Sequence, residues 1–159
     1  MILVTLGTND KSFTRLLDGI HHAIEEGIIQ EEVIVQAGYT KYQDEKMNIH
    51  SSFEREEFER FIDEARILIT HGGVGTIMTA LKKKKKILAA ARLSQYHEHV
   101  NDHQTQLLDA FDEAGYLIYM RDLNNLKPYF EQIETFTPKE LESNQDVIVE
   151  YLTDWIDSH

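Results

Sequence analysis

A glycine cluster behind a short apolar run is the part of this sequence best suited to binding a ligand. The run Ile67–Thr70 is typical of a buried strand and leads directly into His71-Gly72-Gly73-Val74-Gly75-Thr76, where helical apolar spacing begins at Thr76. A strand, a glycine turn and a helix in this order bring free backbone N–H groups and the positive end of a helix dipole to one point. The segment therefore predicts a phosphate-binding turn.

The motif differs from two better-known phosphate-binding sequences. No Gly-Lys-Ser/Thr follows, so it is not a Walker A loop, and the third glycine of a dinucleotide fingerprint would fall at Met78. Two glycines also fit a plain tight turn. Thr76 either caps the helix or donates its hydroxyl to a phosphate oxygen, and His71 either binds a ligand or serves as a structural histidine.

A second polar segment, Arg92–Gln104, lies between a predicted strand and the start of a predicted helix. Its donors and acceptors could recognise sugar hydroxyls, and the candidates are Arg92, Glu98, His99, Asp102, His103 and Gln104. The spacing His97-x-His99-x3-His103 also allows a zinc site, although the chain has no cysteine. The plain alternative is a helix cap at Asn101 or Asp102 flanked by solvated histidines.

Strand-like and helical patterns alternate along the chain. The predicted strands are Ile2–Leu6, Glu32–Gln36, Arg66–Thr70, Ile87–Ala90 and Leu117–Met120, with Met47–His50 as a weaker candidate. The predicted helices are Phe13–Glu26, Arg55–Glu64, Thr76–Lys83, Asp102–Ala114 and Leu123–Ile133, with Gly27 and Gly115 as stops. This alternation predicts one α/β domain over residues 1–159, a Rossmann-like parallel sheet with helices on both faces.

Ligands of such sheets bind beyond the carboxyl ends of the strands. Three predicted loops lie there: Gly7-Thr8-Asn9-Asp10, His71–Gly75 and Arg92–Gln104. The first loop, with Gly7 and Thr8, could also be an ordinary strand-to-helix turn. Together the three loops could enclose one site.

Composition limits the classes of partner. The net charge of −12 argues against nucleic acid, which requires a basic face, but it permits a small phosphorylated ligand held by local N–H groups. The start of the chain lacks a basic n-region and a cleavage site, and no apolar run reaches about 18 residues. These features predict a protein of the cytosol.

Two further segments bear on partners. An apolar stripe over residues 145–157, with Trp155, predicts an amphipathic C-terminal helix that either closes its own domain or docks on a partner. The run Lys82–Lys86 is either a solvated helix end or a contact with anionic lipid.

Three ordered motifs resemble the donor-binding, C-terminal half of GT-B glycosyltransferases of the family-28 kind. They are Val4-Thr5-Leu6-Gly7-Thr8 with Phe13 and Leu16-Leu17, then His71–Thr76, then Arg92 with Glu98-His99-Val100-Asn101-Asp102-His103-Gln104. The resemblance spans Met1 to Tyr119. It is strongest to stand-alone donor subunits, such as the small subunit of the dolichol-linked N-acetylglucosamine transferase and bacterial capsule and exopolysaccharide subunits.

The resemblance implies that Gly73, Gly75 and Thr76 face the diphosphate of a UDP-sugar and that the segment from Glu98 to Gln104 lies near the donor sugar. Related enzymes hold the ribose with a glutamate at the position of Thr79, and they often have proline where this chain has Ala89-Ala90-Ala91. This chain differs from the family pattern at both places, and with Thr79 it lacks the residue that usually binds the ribose.

The resemblance also implies a membrane-anchored partner subunit that brings a lipid-linked acceptor and the catalytic base. The chain would be peripheral at the inner face of the membrane through that partner. No cofactor or metal is expected, and no catalytic residue can be named here. Two other functions remain open: a non-catalytic activator of a partner transferase, and a stand-alone UDP-sugar hydrolase or epimerase.

Overall fold

The structure is a computed structural model that describes residues 1–7, 11–98 and 103–140, without the side chain of His103. Its strands are β1 (Ile2–Thr5), β2 (Val33–Gln36), β3 (Asn48–His50), β4 (Ile67–Thr70), β5 (Lys86–Ala89) and β6 (Ile118–Tyr119). Its helices are α1 (Thr14–Glu25), α2 (Arg55–Glu64), α3 (Val74–Lys82), α4 (His103–Glu113) and α5 (Lys127–Thr135), and Ser94–Tyr96 forms a 3₁₀ turn. The helix predicted over 145–157 lies outside the described residues.

The six described strands form one parallel sheet in the order β3-β2-β1-β4-β5-β6. The central strand β1 pairs with β2 and β4, with Val4 opposite Val35 on one side and Ile69 on the other. Strands buried on both faces need continuous apolar runs, which β1 and β4 provide. The predicted Rossmann-like α/β fold is confirmed, and so is the weaker strand candidate at β3.

Alternate residues of each strand supply two separate cores. Ile2 and Val4 of β1 pack with the apolar faces of α1 and α5, whereas Leu3 packs with α2, α3 and α4. This division follows from the two-residue period of a strand, which points successive side chains to opposite faces. The sheet is thus covered on both sides, as predicted.

Two helices begin two or more residues away from the position that the sequence indicates. The N-cap of α3 is Gly73, so Thr76 is the third helical residue, and the interpretation of Thr76 as a helix cap is wrong. Helix α5 begins at Lys127 with Pro128 in its first turn rather than at Leu123. Leu123 and Leu126 are buried in the core, so their apolar spacing reflects packing of a turn and not helix.

Three helices end in the same hydrogen-bonded motif. After α1 and α4, Gly27 and Gly115 have positive φ, and the next N–H reaches back into the helix, from Ile28 to Ala23 O and from Tyr116 to Phe111 O. These are Schellman ends, so both predicted glycine stops are confirmed. Helix α3 ends identically, with Lys84 at φ 58° in the position that glycine fills elsewhere.

The lysine run after α3 is largely bound into the structure. The Lys85 ammonium donates to the carbonyls of Asp63 and Ala65 at the end of α2, at 2.6 and 3.0 Å. The Lys86 ammonium donates to the carbonyls of Ile133 and Glu134 in α5, both at 3.0 Å. Lysines near helix C-termini satisfy the last carbonyls and the negative end of the dipole. Both lysines therefore have a structural role instead of the solvated or lipid-facing one.

Within the ranges that the structure describes, none of the helices has both the length and the apolar character needed to cross a bilayer.

Replacing Lys84 by glycine should stabilise the protein. A left-handed conformation costs a non-glycine residue about 1–2 kcal/mol, and the greater freedom of glycine in the unfolded chain returns part of the gain, leaving about 0.5–1 kcal/mol. Urea unfolding of K84G measures this. Lys82→Gly, at the last residue of the same helix, where φ is not left-handed, is the control and should lose up to about 1 kcal/mol. A destabilised K84G would contradict the account of this helix end.

Candidate functional site

The candidate site lies where the strand order reverses, at the carboxyl ends of the neighbouring strands β1 and β4. Thr5 and Thr70 end these strands opposite each other, and their buried hydroxyls are 3.2 Å apart. The chain continues into Gly7 on one side and His71 on the other. Open α/β sheets form their ligand crevice at this switch point. The fold therefore brings two of the three predicted loops together.

The imidazole of His71 lies between two of the predicted glycines. A Cβ built on Gly7 would be 2.3 Å from Nε2 of His71, and one on Gly73 would be 3.0 Å from the same atom. Gly7 also has φ +71°, and a Cβ on Gly38 would come within 2.5 Å of the Gly7 carbonyl oxygen. These positions require glycine because the backbones and the ring are too close for side chains.

The first turn of α3 presents backbone amides at this crevice. The helical ladder begins with the N–H of Ile77, which donates to the Gly73 carbonyl at 3.1 Å. The N–H groups of Val74, Gly75 and Thr76 therefore lack acceptors within the helix. A Cβ on Gly75 would meet no atom within 4 Å, so the space beside this glycine is open. The arrangement has the N–H groups and the dipole that an anion requires.

A cavity of about 660 Å³ opens at the same point. It is lined by Gly7, Gln36, Phe53, Arg55, Phe58, His71, Gly73, Gly75 and Thr76. Five of the predicted site residues thus share one cavity. Gly72 does not line it; with φ +92° it packs against Leu108 of α4, where a Cβ would lie 3.3 Å from the leucine methyl groups.

Sequence reasoning missed four lining residues: Gln36, Phe53, Arg55 and Phe58. They belong to β2 and to the chain after β3, which the strand order places beside β1. The polar Gln36 at the end of an apolar strand was the available signal. Phe53 and Phe58 are half-buried and give the cavity an aromatic wall.

A second cavity, of about 440 Å³, lies at the opposite end of the sheet. Its charged lining is engaged internally, because Arg66 pairs with Glu31 at 2.5 Å and with Glu134 at 2.7 Å. Its polar groups therefore satisfy one another, unlike the open amides of the first cavity.

Arg92 and Glu98 are interior residues rather than cavity residues. The Arg92 side chain is 1% exposed and donates to the carbonyls of Leu6 at 2.7 Å and Lys11 at 2.5 Å. Glu98 is 3% exposed, and its carboxylate binds Arg15 at 2.9 Å and the N–H of Leu93 at 3.1 Å. Burial lowers the pKa of Arg92, and the charge of Glu98 opposes that shift. We therefore revise the direct substrate contact that the sequence predicts for these two side chains.

The remaining predicted residues are less fully placed. Gln104 is half-buried in α4, and its Oε1 accepts the N–H of Arg92 at 3.4 Å. His103 begins α4, but its side chain is outside the described structure, as are Thr8, His99 and Asp102. The substrate contacts predicted for these residues, to the sugar in the case of His99, Asp102 and His103, stay predictions, and so does the zinc alternative, which needs His99 and His103.

Thr79 lies one turn into α3 from the open amides. Its hydroxyl donates to the carbonyl of Gly75 at 3.0 Å, a bond back along the helix. The position at which the family resemblance leads us to expect a ribose-binding glutamate therefore carries a short side chain bonded to its own helix.

Comparison with known proteins assigns the family. The model of the glycosyltransferase family 28 C-terminal domain matches residues 1–155, so the chain belongs to this family. The family-28 resemblance of the sequence is thereby confirmed, and the coarse activity is that of a glycosyltransferase domain. No curated protein sequence matches the chain significantly.

Solved structures show the same fold at low sequence identity. A kitacinnamycin glycosyltransferase matches 99% of this chain and 39% of its own, with TM-score 0.64 and 14% identity. ALG13 matches 98% of this chain and 96% of its own, with TM-score 0.63 and 17% identity. MurG of Acinetobacter baumannii matches 95% and 49%, with TM-score 0.56 and 14% identity. The chain therefore spans less than half of two of these proteins and nearly all of ALG13.

The contact between Gly7 and His71 can be tested by a double-mutant cycle. Gly7→Ala should cost about 2–4 kcal/mol, because the methyl group overlaps the imidazole and the left-handed φ is strained. In a His71→Ala background only the φ strain, about 1–2 kcal/mol, should remain. Denaturant unfolding of the four proteins gives the coupling energy.

Gly75→Ala is the matched control, since its Cβ would enter open space. It should leave stability unchanged or raise it by up to about 1 kcal/mol, because alanine favours helix. Additive effects of G7A and H71A would contradict the close approach.

Proposed function

We propose that this chain is the UDP-sugar-binding subunit of a two-chain glycosyltransferase, which transfers a hexose or N-acetylhexosamine to a lipid-linked acceptor in cell-surface polysaccharide synthesis. The observation that carries the proposal is the first turn of α3, where Gly73, Gly75 and Thr76 line a cavity of about 660 Å³ and the first N–H groups lack acceptors within the helix. The family supports glycosyl transfer.

The diphosphate occupies the amides of Val74, Gly75 and Thr76 in this proposal. A diphosphate carries more than one negative charge, and charge-assisted bonds from helix N–H groups are stronger than neutral ones. Arg55, on the cavity wall, adds a positive charge, although its side chain is 92% exposed and so contributes little after screening. The local donors offset the net charge of −12 of the whole chain.

The nucleoside extends from the diphosphate toward the aromatic wall. Phe53 and Phe58 offer the apolar surface on which a planar base packs, and Gln36 offers an amide for hydrogen bonding. The ribose then passes close to α3 without the carboxylate that relatives place at position 79. We expect weaker binding of the nucleoside as a consequence.

The chemistry follows from charge development on the departing UDP. An acceptor hydroxyl attacks the anomeric carbon, the bond from that carbon to the β-phosphate oxygen breaks, and negative charge grows on the phosphate. Preorganised amides at a helix N-terminus stabilise that charge. They take the role that a divalent metal has elsewhere, so the proposal includes no metal.

A partner chain completes the enzyme in this proposal. The resemblance to ALG13 supports a partner subunit. The membrane-anchored partner supplies the acceptor and the proton-accepting base, and it holds the chain at the inner face of the membrane.

A non-catalytic activator role is the second candidate. It is favoured by Thr79, whose hydroxyl is bonded to the helix carbonyl of Gly75 rather than offered to a ligand. Such a protein would keep the fold and the partner contact without using the donor.

Calorimetry of the full chain with UDP, alone and with its co-purified partner, tests the proposal. Gly75→Val should weaken binding about 100-fold, because the side chain fills the space before amides worth about 1.5–3 kcal/mol per charged hydrogen bond. The matched control is Lys82→Val, at the far end of the same helix and away from the cavity. It should bind like the wild type.

Each outcome separates the candidates. If folded G75V binds UDP with wild-type affinity, the glycine turn is not part of the UDP-binding site. Absence of UDP binding with and without the partner leaves only the activator role. Turnover of a UDP-sugar by the isolated chain would instead indicate a hydrolase or epimerase.

A further inference from the structure

The buried guanidinium of Arg92 connects the β1–α1 loop, which contains the cavity residue Gly7, to the segment that begins at Arg92 itself. It follows β5 and is 1% exposed, which is rare for an arginine. One terminal nitrogen, Nη2, donates to the Leu6 carbonyl at 2.7 Å, and the other, Nη1, to the Lys11 carbonyl at 2.5 Å. Nη1 is also 3.4 Å from the Glu98 carbonyl oxygen.

These three carbonyls are at loop ends. Leu6 immediately precedes Gly7, which lines the cavity, and Lys11 is on the far side of the same β1–α1 connection. Glu98 ends the described part of the segment that begins at Arg92 itself. One planar group thus holds both ends of the first loop against the second loop.

A second set of bonds fixes the Arg92–Glu98 segment from the other side. The Glu98 carboxylate receives two bonds from Arg15, at 2.9 and 3.2 Å, and one from the N–H of Leu93 at 3.1 Å. Arg15 also donates to the Ala91 carbonyl at 3.2 Å, and its guanidinium lies 4.5 Å from the Tyr96 ring centroid. Glu98 therefore pairs directly with Arg15, whereas the hydrogen bonds of the Arg92 guanidinium to described residues go to backbone carbonyls.

The three carbonyls require a rigid group with several N–H donors and not only a positive charge. Arginine holds several N–H groups in one rigid plane, so it can serve acceptors in different directions at once, whereas the lysine ammonium is a compact point charge on a flexible stem. The Arg92 guanidinium also lies 5.1 Å from the Phe13 ring centroid, a planar contact that lysine reproduces poorly. A lysine at this position would keep the positive charge but could not hold the carbonyls of both loops at their present separation.

We infer that Arg92 is a positioning residue: it sets the separation of the β1–α1 loop from the Arg92–Glu98 segment and thereby the affinity of the site for the nucleotide diphosphate. The inference rests on the proposed function for its ligand. The placement of Gly7 against His71 depends on the path of the first loop, which begins at the Leu6 carbonyl that Arg92 holds.

The test compares Arg92→Lys and Arg92→Met with Arg121→Lys, an exposed arginine bonded to Asp109, in the full chain. Amide hydrogen exchange is followed in peptides covering residues 6–11 and 91–98 and in the central strands, and calorimetry measures UDP affinity. In R92K both loops should exchange about tenfold faster or more while the strands keep wild-type protection, and the Kd for UDP should rise about tenfold. R121K should match the wild type in every measurement.

Several results would overturn the inference. Wild-type protection of both loops in R92K would show that Arg92 does not hold them together. Faster exchange in both loops with an unchanged Kd for UDP would show that their positions do not affect UDP binding. If R92K instead exchanges faster by the same factor in the strands and in the loops, then Arg92 stabilises the whole fold and does not specifically position the two loops. If R92M does not fold, R92K decides. If the wild-type chain binds no UDP, the proposed function and the ligand part of this inference both fall, and loop exchange in R92K alone decides whether the tie exists.

Discussion

The contact between the His71 imidazole and the two glycine turns governs the candidate site. The ring fills the volume that side chains at Gly7 and Gly73 would occupy, so the turns after β1 and β4 lie closer to it than residues with side chains allow. Gly73, Gly75 and Thr76 at the start of α3 line the same cavity as Gly7 and His71.

Local geometry rather than overall charge makes the site suitable for an anion. The chain carries a net charge of −12, yet charges more than about 8 Å away are largely screened at physiological salt. Helix amides act at hydrogen-bond distance and need no titratable group. The buried Arg92, held by carbonyls, adds order to the loops rather than a contact to the ligand.

Periodic and steric signals were readable from the sequence. The apolar runs predict the parallel strands, and Gly27 and Gly115 predict the ends of α1 and α4, because their positive φ favours glycine. No glycine indicates the end of α3, because Lys84 adopts the left-handed conformation there and lysine does not predict that conformation. The helix start at Gly73 was displaced to Thr76 because capping preferences favour threonine, whereas the close approach to His71 demands glycine.

The residues of the candidate site also divide into those that local sequence patterns predict and those that only the fold brings together. His71, Gly73, Gly75 and Thr76 were accessible because they are contiguous in sequence and share one mechanism. Phe53 and Phe58 were not, because only the order β3-β2-β1 brings their segment to the site. The sequence predicts Arg92 as a contact to the sugar, but its partners at Leu6 and Lys11 lie more than 80 positions away, and local patterns do not report such contacts.

A crystal structure of the chain with UDP tests the central claim most directly. The account predicts pyrophosphate oxygens about 3 Å from the backbone nitrogens of Gly75 and Thr76, in the cavity beside His71. UDP bound elsewhere, with this helix terminus filled by protein side chains, would contradict it.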